Sequence, residues 1–336
     1  LTRALHGRTT AAIWAALATV YVVWGSTYLA IAVAIRTLPP FLMSSVRFSL
    51  AGLVLYLWAR RRGAPAPTAQ QWIAAGIIGF ALLLVGNGGI AWAEQRIDSG
   101  IAALLVATTP LWLAVLDRIW FGSRLSLRAI VGIAVGIGGV ALLVGAGPID
   151  AVGALVVLAA SLSWAAGSLL ARNGSLPDQA GLAAGMQMLA AGGLLGITGI
   201  SAGELGRVHL EQITAPSLLA FAYLVVVGSL VTYTAYGWLL RSAAPTALVG
   251  TYAYVNPIVA VALGGLVLKE AISGRTVVAA AAIVVAVVLS IEKRRVGSLV
   301  AGIPEPAPDR VGRSVPRDRP LQVVPALADL RRPSAA

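Results

Sequence analysis

The chain has no cysteine, so neither a disulfide framework nor a thiolate metal site can form. Histidine is nearly absent too, with only His6 near one end and His209 in a polar stretch. Charge is scarce: 11% of the 336 residues are charged, against 58% hydrophobic, and mean hydropathy is +0.86. A soluble domain cannot cover its surface with so few charges. No Asp or Glu lies deep in any long apolar stretch. A midplane carboxylate is the usual proton relay of a coupled membrane protein, and here only Glu94, at the end of one stretch, comes near that role. No Gly-rich phosphate loop ending in Gly-Lys-Ser or Gly-Lys-Thr occurs, so work driven by ATP would need another chain. Nothing in the residues implies a cofactor or a metal.

What the chain does have is apolar length. About ten stretches, 13–35, 41–59, 72–93, 100–116, 129–146, 152–171, 180–200, 216–240, 246–268 and 276–291, are separated by short polar breaks. A helix crossing ~30 Å of hydrocarbon needs roughly 20 apolar residues, and each stretch comes close. The expected fold is all-α and integral to the membrane, with ten transmembrane helices. The first stretch is too long for a secretory h-region and no small-residue cleavage site follows it, so it reads as a retained helix. Only Arg47 places a full charge inside a stretch.

The formal net charge of +12 does not indicate nucleic acid, because its distribution is that of a membrane protein. With ten spans, nineteen of the 25 Lys and Arg fall on one side, five on the other, and Arg47 within a span. The rule that short basic loops stay inside puts both termini in the cytoplasm of a multi-pass plasma (inner) membrane protein. Residues 1–11 then form a cytoplasmic N-terminus. Residues 292–336 hold seven prolines and nine basic residues among few large apolar ones. That composition reads as a disordered basic tail, with a tether to anionic lipid as the rival reading.

The chain also repeats itself. At an offset of 140, Trp24 falls on Trp164, Leu29 on Leu169 and Ala51-Gly52 on Ala191-Gly192. At an offset of 147, Pro110 falls on Pro257, Arg128 on Arg275 and Val140 on Val287. This divides the chain into units 12–147 and 148–291 of five spans each. Five is odd, so the second unit should be inverted relative to the first. Two inverted five-helix repeats are a transporter architecture, because related halves can rock about a site near the midplane.

Several short stretches carry a family resemblance. They are Trp24-Gly25-Ser26-Thr27-Tyr28, Val46-Arg47-Phe48, Val85-Gly86-Asn87-Gly88 and Ser99-Gly100-Ile101-Ala102-Ala103 in the first unit. The second unit adds Ser163-Trp164-Ala165-Ala166-Gly167-Ser168 and Thr251-Tyr252-Ala253-Tyr254-Val255-Asn256-Pro257. Over roughly 12–291 the chain resembles an EamA-type member of the drug/metabolite transporter superfamily, in particular the YedA-like exporters. The resemblance implies ten helices in two inverted repeats and export of small organic molecules. One departure stands out. Many members place Gly-Glu after the fourth span of each repeat, whereas this chain has Lys269-Glu270 in the second unit and Gly122-Ser123-Arg124 in the first.

Candidate pathway residues follow from polarity and position. Pro110 and Pro257 lie near the middle of repeat-related spans, where proline removes a hydrogen bond and frees the carbonyls of Val106 and Ala253. They mark either a kinked, pathway-lining pair or ordinary packing kinks. Tyr252 and Asn256 share a helix face at i, i+4, Tyr233 and Tyr236 pair at i, i+3, and Asn87 matches Thr234 by offset. These groups line a ligand site or hydrogen-bond between helices; the sequence supports both readings equally. Trp24 and Trp164 sit centrally in their spans, either as flat cavity walls able to face cations or as core. Trp92, Trp120 and Trp238 lie near span ends, as interfacial belt residues do. Arg47 lies about two turns, roughly 9 Å, into its span, and its repeat mate is the neutral Gln187. It either pairs with a substrate carboxylate, with Glu94 or with Glu270 in an outer gate, or it snorkels to the interface.

Three functions fit these residues. The first is a secondary or facilitative exporter of small metabolites (amino acids, amines) or drugs, working by alternating access, with proton or exchange coupling left open. The second is a flippase for a lipid-linked molecule; Gly181, Gly185, Gly192, Gly193, Gly196 and Gly199 in one span allow close helix approach without deciding on a lateral gate. The third is a membrane transferase, which would need Glu94, Asp98 and Glu270 to converge. The expected partners are a small-molecule substrate and the lipid bilayer.

Overall fold

The computed structural model describes residues 2–122, 127–144, 149–241 and 252–290. The Ser123-Arg124 pair, the boundary between the two expected units, the start of the ninth apolar stretch and the basic tail lie outside the described residues. Helices account for the first unit as α1 (Thr2–Ala34), α2 (Pro40–Arg61), α3 (Ala69–Ala93), α4 (Ser99–Phe121) and α5 (Leu127–Val144). The second unit has α6 (Ala151–Asn173), α7 (Ala180–Ser201) and α8, which runs as Ala215–Tyr223, Leu224–Val231 and Thr232–Arg241. It continues with α9 (Tyr252–Leu263, then Gly264–Leu268) and α10 (Gly274–Ser290). Eight of these, α1 to α8, are long and apolar enough to cross a membrane; the described parts of α9 and α10 are shorter apolar helices. The first helix extends back to Thr2.

Local chemistry sets the ends. Pro40 occupies the first turn of α2, where its missing N–H has no partner to lose. Thr68 and Gln71 form a reciprocal capping box at the start of α3, at 2.9 and 3.2 Å. The Asp150 carboxylate accepts from the Gly153 N–H at 2.6 Å to start α6. Gly122 and Gly203 end α4 and α7 with φ of 66° and 73°, which a side chain would oppose. At the end of α5, the Arg275 guanidinium donates to the Leu142 and Leu143 carbonyls at 2.5 and 3.2 Å, satisfying groups the helix leaves open.

Outward-facing side chains are large and apolar. Ile77, Ile197 and Leu266 are 53%, 63% and 80% exposed, a surface that hydrocarbon solvates and water does not. Inside, the two units interlock. The main contacts pair α2 with α7 and α5 with α10, while α1 packs on α8 and α9, and α6 packs on α3 and α4. The pattern maps onto itself when helix n is exchanged with helix n ± 5.

The α2–α7 crossing is backbone against backbone. A β-carbon built on Gly52 would lie 2.8 Å from the Leu189 nitrogen, one on Gly185 2.8 Å from the Tyr56 nitrogen, and one on Gly192 3.0 Å from the Ser49 nitrogen. Ser45 Oγ donates to the Gly192 carbonyl across the same contact at 2.7 Å. Helices in lipid associate through such close packing because no hydrophobic force drives them together. Gly193, one residue on, faces open space. Gly185→Leu should therefore lower the stability of the purified protein by about 1–3 kcal/mol through overpacking, seen as a reduced thermal midpoint in detergent. Gly193→Leu should leave that midpoint unchanged; equal losses in the two variants would show that helix propensity, not the crossing, governs.

Candidate functional site

The regular ladder is interrupted in four helices, and side-chain hydroxyls service the breaks. In α4 the helix stops at Val106 and restarts at Thr109, with Pro110 in the first turn of the restart. Thr108 Oγ1 donates to the Leu105 carbonyl and Thr109 Oγ1 to the Val106 carbonyl, both at 2.6 Å. Pro257 behaves differently: it stays inside a continuous stretch of α9. The middle of α3 (Phe80–Gly88) and of α8 (Leu224–Val231) is π-helical, and π-turns in helices often mark functional sites. Ser229 Oγ donates to the Leu224 carbonyl at 2.9 Å and Thr232 Oγ1 to the Val227 carbonyl at 2.7 Å. In α3 the Ala81 carbonyl accepts from Ser163 Oγ of α6 at 2.9 Å.

Four of the expected pathway residues come together. The Trp24 ring of α1 lies 5.6 Å from Tyr233, 5.0 Å from Tyr236 and 5.1 Å from Tyr252, and Tyr236 meets Tyr252 edge to face at 5.8 Å. Three helices thus build one aromatic enclosure. Asn256 sits one turn beyond Tyr252, buried. With its amide nitrogen as donor, it reaches the carbonyls of Tyr21 in α1 and Tyr252 in α9, at 3.1 Å each. Gly25 admits this approach: a β-carbon there would lie 2.6 Å from Val259 Cβ and 3.0 Å from the Asn256 carbonyl oxygen. Trp164 lies elsewhere, over the π-helical part of α3, where a β-carbon on Gly86 would be 2.9 Å from its Cε3. By the 147-residue offset, Gly86 and Gly89 are the mates of Tyr233 and Tyr236. Each tryptophan therefore meets the equivalent stretch of the other half, but one finds rings and the other finds glycine.

Arg47 is 2% exposed, so it does not snorkel. Its Nε donates to Ser229 Oγ at 2.9 Å and Nη1 reaches Asn87 Oδ1 at 3.4 Å. The guanidinium lies 4.7 Å from the Phe48 ring centroid, and Tyr233 is close enough to interact with its charge. Among the described residues it forms no ion pair, with Glu94, Glu270 or any other carboxylate. Ser229 was the partner hardest to anticipate; its only signal is a lone hydroxyl in an apolar run.

Glu270 is occupied at one end of the bundle. Lys269, in the left-handed region at φ 58°, ends α9 and turns the chain back. Glu270 Oε1 then accepts from the Ser99 N–H at 2.9 Å and from Ser99 Oγ at 2.6 Å, and Oε2 accepts from the Gly100 N–H at 3.0 Å. A carboxylate from the second half so closes the N-terminus of α4 in the first, where the helix dipole favours negative charge. Glu204, which follows α7, does the same for α2: its carboxylate accepts from the N–H groups of Phe41 and Leu42 at 3.2 and 2.8 Å. Glu94 ends α3 beside this cluster. It is 8% exposed, and neither carboxylate oxygen has a hydrogen-bond partner among the described residues. Glu94 and Asp98 both feel the charge of Glu270, so the three acids that a transferase would need do approach one another. Glu270 spends its oxygens on backbone amides, however, and among the described residues no group of three or more such side chains is placed to hold a metal.

Comparison with known proteins bears on this geometry. The profile of the EamA-like transporter family matches twice, over residues 9–145 and 151–291. The inner membrane transporter YedA of Escherichia coli K12 is 41% identical over 285 residues, covering 82% of this chain and 90% of its own. A WAT1-related chloroplastic protein of Arabidopsis thaliana is 26% identical, covering 82% of this chain and 68% of its own. An Escherichia coli K12 protein named "Probable amino-acid metabolite efflux pump" is 26% identical over 76% of this chain and 86% of its own. One solved crystal structure, 20% identical, superposes with a TM-score of 0.58 over 84% of this chain and 97% of that one, and so shares the fold.

The capping role of Glu204 has a measurable consequence. Glu204→Ala strands the Phe41 and Leu42 N–H groups and should destabilise the purified protein by about 1–2 kcal/mol. Glu204→Gln, which keeps one acceptor oxygen, should lose less. The thermal midpoints of the two variants check the order.

Proposed function

The chain belongs to the EamA-like transporter family, and on that premise we propose that it is a secondary or facilitative exporter of small carboxylate-bearing amphipathic metabolites, amino acids and their analogues foremost. The observation that carries this reading is the pairing of a buried guanidinium, Arg47, without a counter-ion among the described residues, and an adjoining aromatic enclosure of Trp24, Tyr233, Tyr236 and Tyr252. An uncompensated cation inside a membrane protein is costly, and a substrate carboxylate supplies the missing charge. The rings provide flat apolar walls for the rest of the molecule. Asn256, whose amide is spent on two backbone carbonyls, acts as the tie beneath those walls. The relative named for amino-acid metabolite efflux agrees with this substrate class.

Ten spans in two inverted repeats are the architecture assigned here. The tandem family matches, the self-mapping contact pattern and the repeat-related π-turns support it. The basic residues favour cytoplasmic termini in an inner membrane, which puts Glu94, Asp98, Glu204 and Glu270 at the outer end. Alternating access then means parting and rejoining α4 and α9 at that end, with Glu270 as the latch.

Counterflow in proteoliposomes, against a panel of labelled amino acids, amines without a carboxylate and aromatic drugs, tests the proposal. Flux of the amino acids is expected. Arg47→Gln, which installs the residue found at the repeat mate, should cut that flux by about tenfold or more, as loss of one charge-assisted hydrogen bond implies. Equal loss for the amines would make Arg47 a structural tie. No flux of any compound by folded protein would instead make lipid-linked substrates the next panel.

A further inference from the structure

Glu94 is the buried acid that nothing in the transport reading uses. It ends α3, is more than nine-tenths buried, and has both carboxylate oxygens without a partner among the described residues. Its neighbour Glu270 is locked onto the N-terminus of α4. Among the described residues, the charged groups around it offer no compensation. Tyr28 of α1 and Glu270 face it, and Asp98 lies on its own loop. Of the helices packed against the end of α3, α6 is capped by Asp150 and carries Arg172 at its far end, and α2 carries Arg47, with Arg60 and Arg61 at its far end. Asp150 is tied to Arg96 at 3.5 Å, and Arg47 to Ser229 and Asn87.

A bare carboxylate in such a site is expensive, whereas a protonated carboxyl is merely polar. We infer that Glu94 takes up a proton when the Glu270 end of the bundle closes and gives it up when that end opens, so that closure of the latch is itself a protonation step. The inference rests on the alternating-access reading above. Burial, and after it the charge of Glu270, push the Glu94 carboxyl well above the usual carboxylate range in the closed arrangement. An open, hydrated Glu94 lacks that burial and binds its proton less tightly. The closed state thus holds more protons than the open one. By linkage, falling pH favours closure and rising pH favours opening, by up to about tenfold in the ratio per pH unit.

The absence of native cysteine makes the test direct. Ala103 is buried and lies one turn beyond Gly100, where a β-carbon would sit 3.3 Å from Val261 Cα of α9, so on the shared face Ala103→Cys reports parting of the two helices. The full chain carrying that reporter is placed in proteoliposomes and labelled with a membrane-impermeant maleimide at a series of pH values, with the maleimide rate corrected on an exposed control cysteine. The parent should label progressively less as pH falls. Adding Glu94→Gln should hold labelling at the low level throughout, and adding Glu94→Asp should keep the pH dependence with a displaced midpoint. An unchanged pH dependence in Glu94→Gln, or its loss from both variants, overturns the assignment. The reporter needs no substrate, so failure of the carboxylate reading at Arg47 would leave this outcome unaffected.

Discussion

Backbone groups that leave the helical ladder inside a membrane have no water to turn to, and this bundle is organised around that constraint. Many of the polar side chains in its interior bond backbone atoms. Thr108 and Thr109 cover the break in α4, and Ser229 and Thr232 cover the π-turn of α8. Ser163 and Ser45 reach carbonyls on neighbouring helices. Glu204 and Glu270 take the first amides of α2 and α4, and Arg275 takes the last carbonyls of α5. The bonds at the breaks are local to one helix, apart from Ser163 at the π-turn of α3, whereas those at helix ends and at the α2–α7 crossing run between the two halves and stitch them together.

Two charged side chains stand outside this economy. Among the described residues, Arg47 hydrogen-bonds a hydroxyl and an amide oxygen and no carboxylate, and neither oxygen of Glu94 has a hydrogen-bond partner. One is a cation in want of an anion; the other is an acid that burial drives toward neutrality. They lie on different helices, and neither is the partner of the other. Thr37, Ser44 and Trp112 also keep an unpaired buried polar atom among the described residues, but only Arg47 and Glu94 carry a group that a moving ion or a moving proton would address.

Much of this was readable from residue order, and what was not has physical reasons. Apolar length and the scarcity of charge dictate a helical membrane protein without any alignment. The i, i+3 and i, i+4 spacings of Tyr233, Tyr236, Tyr252 and Asn256 put each pair on one face, but only packing could show that three helices bring the tyrosines to Trp24. Trp164 shares Trp24's register and not its surroundings, because the helix opposite carries Gly86. Arg47 looked able to snorkel on depth alone; the tertiary contact with Ser229 turns it inward. Pro110 and Pro257 are alike in sequence yet only Pro110 sits at a helix break. The π-turns leave no periodic signature at all, since a single inserted turn shifts a helix face without changing composition.

The glycine opposite Trp164, Gly86, carries a consequence of its own. Duplication gives two halves the same scaffold, but here one presents large rings, Tyr233 and Tyr236, where the other presents bare main chain at Gly86 and Gly89. The space that a side chain at Gly86 would fill is taken by the Trp164 ring, and Gly89 lies against Ala160 and Val156. Each tryptophan is therefore held differently, Trp24 by other rings and Trp164 by close approach to main chain. A side chain added at Gly86 displaces Trp164, whereas the matching position on the other flank already carries a ring.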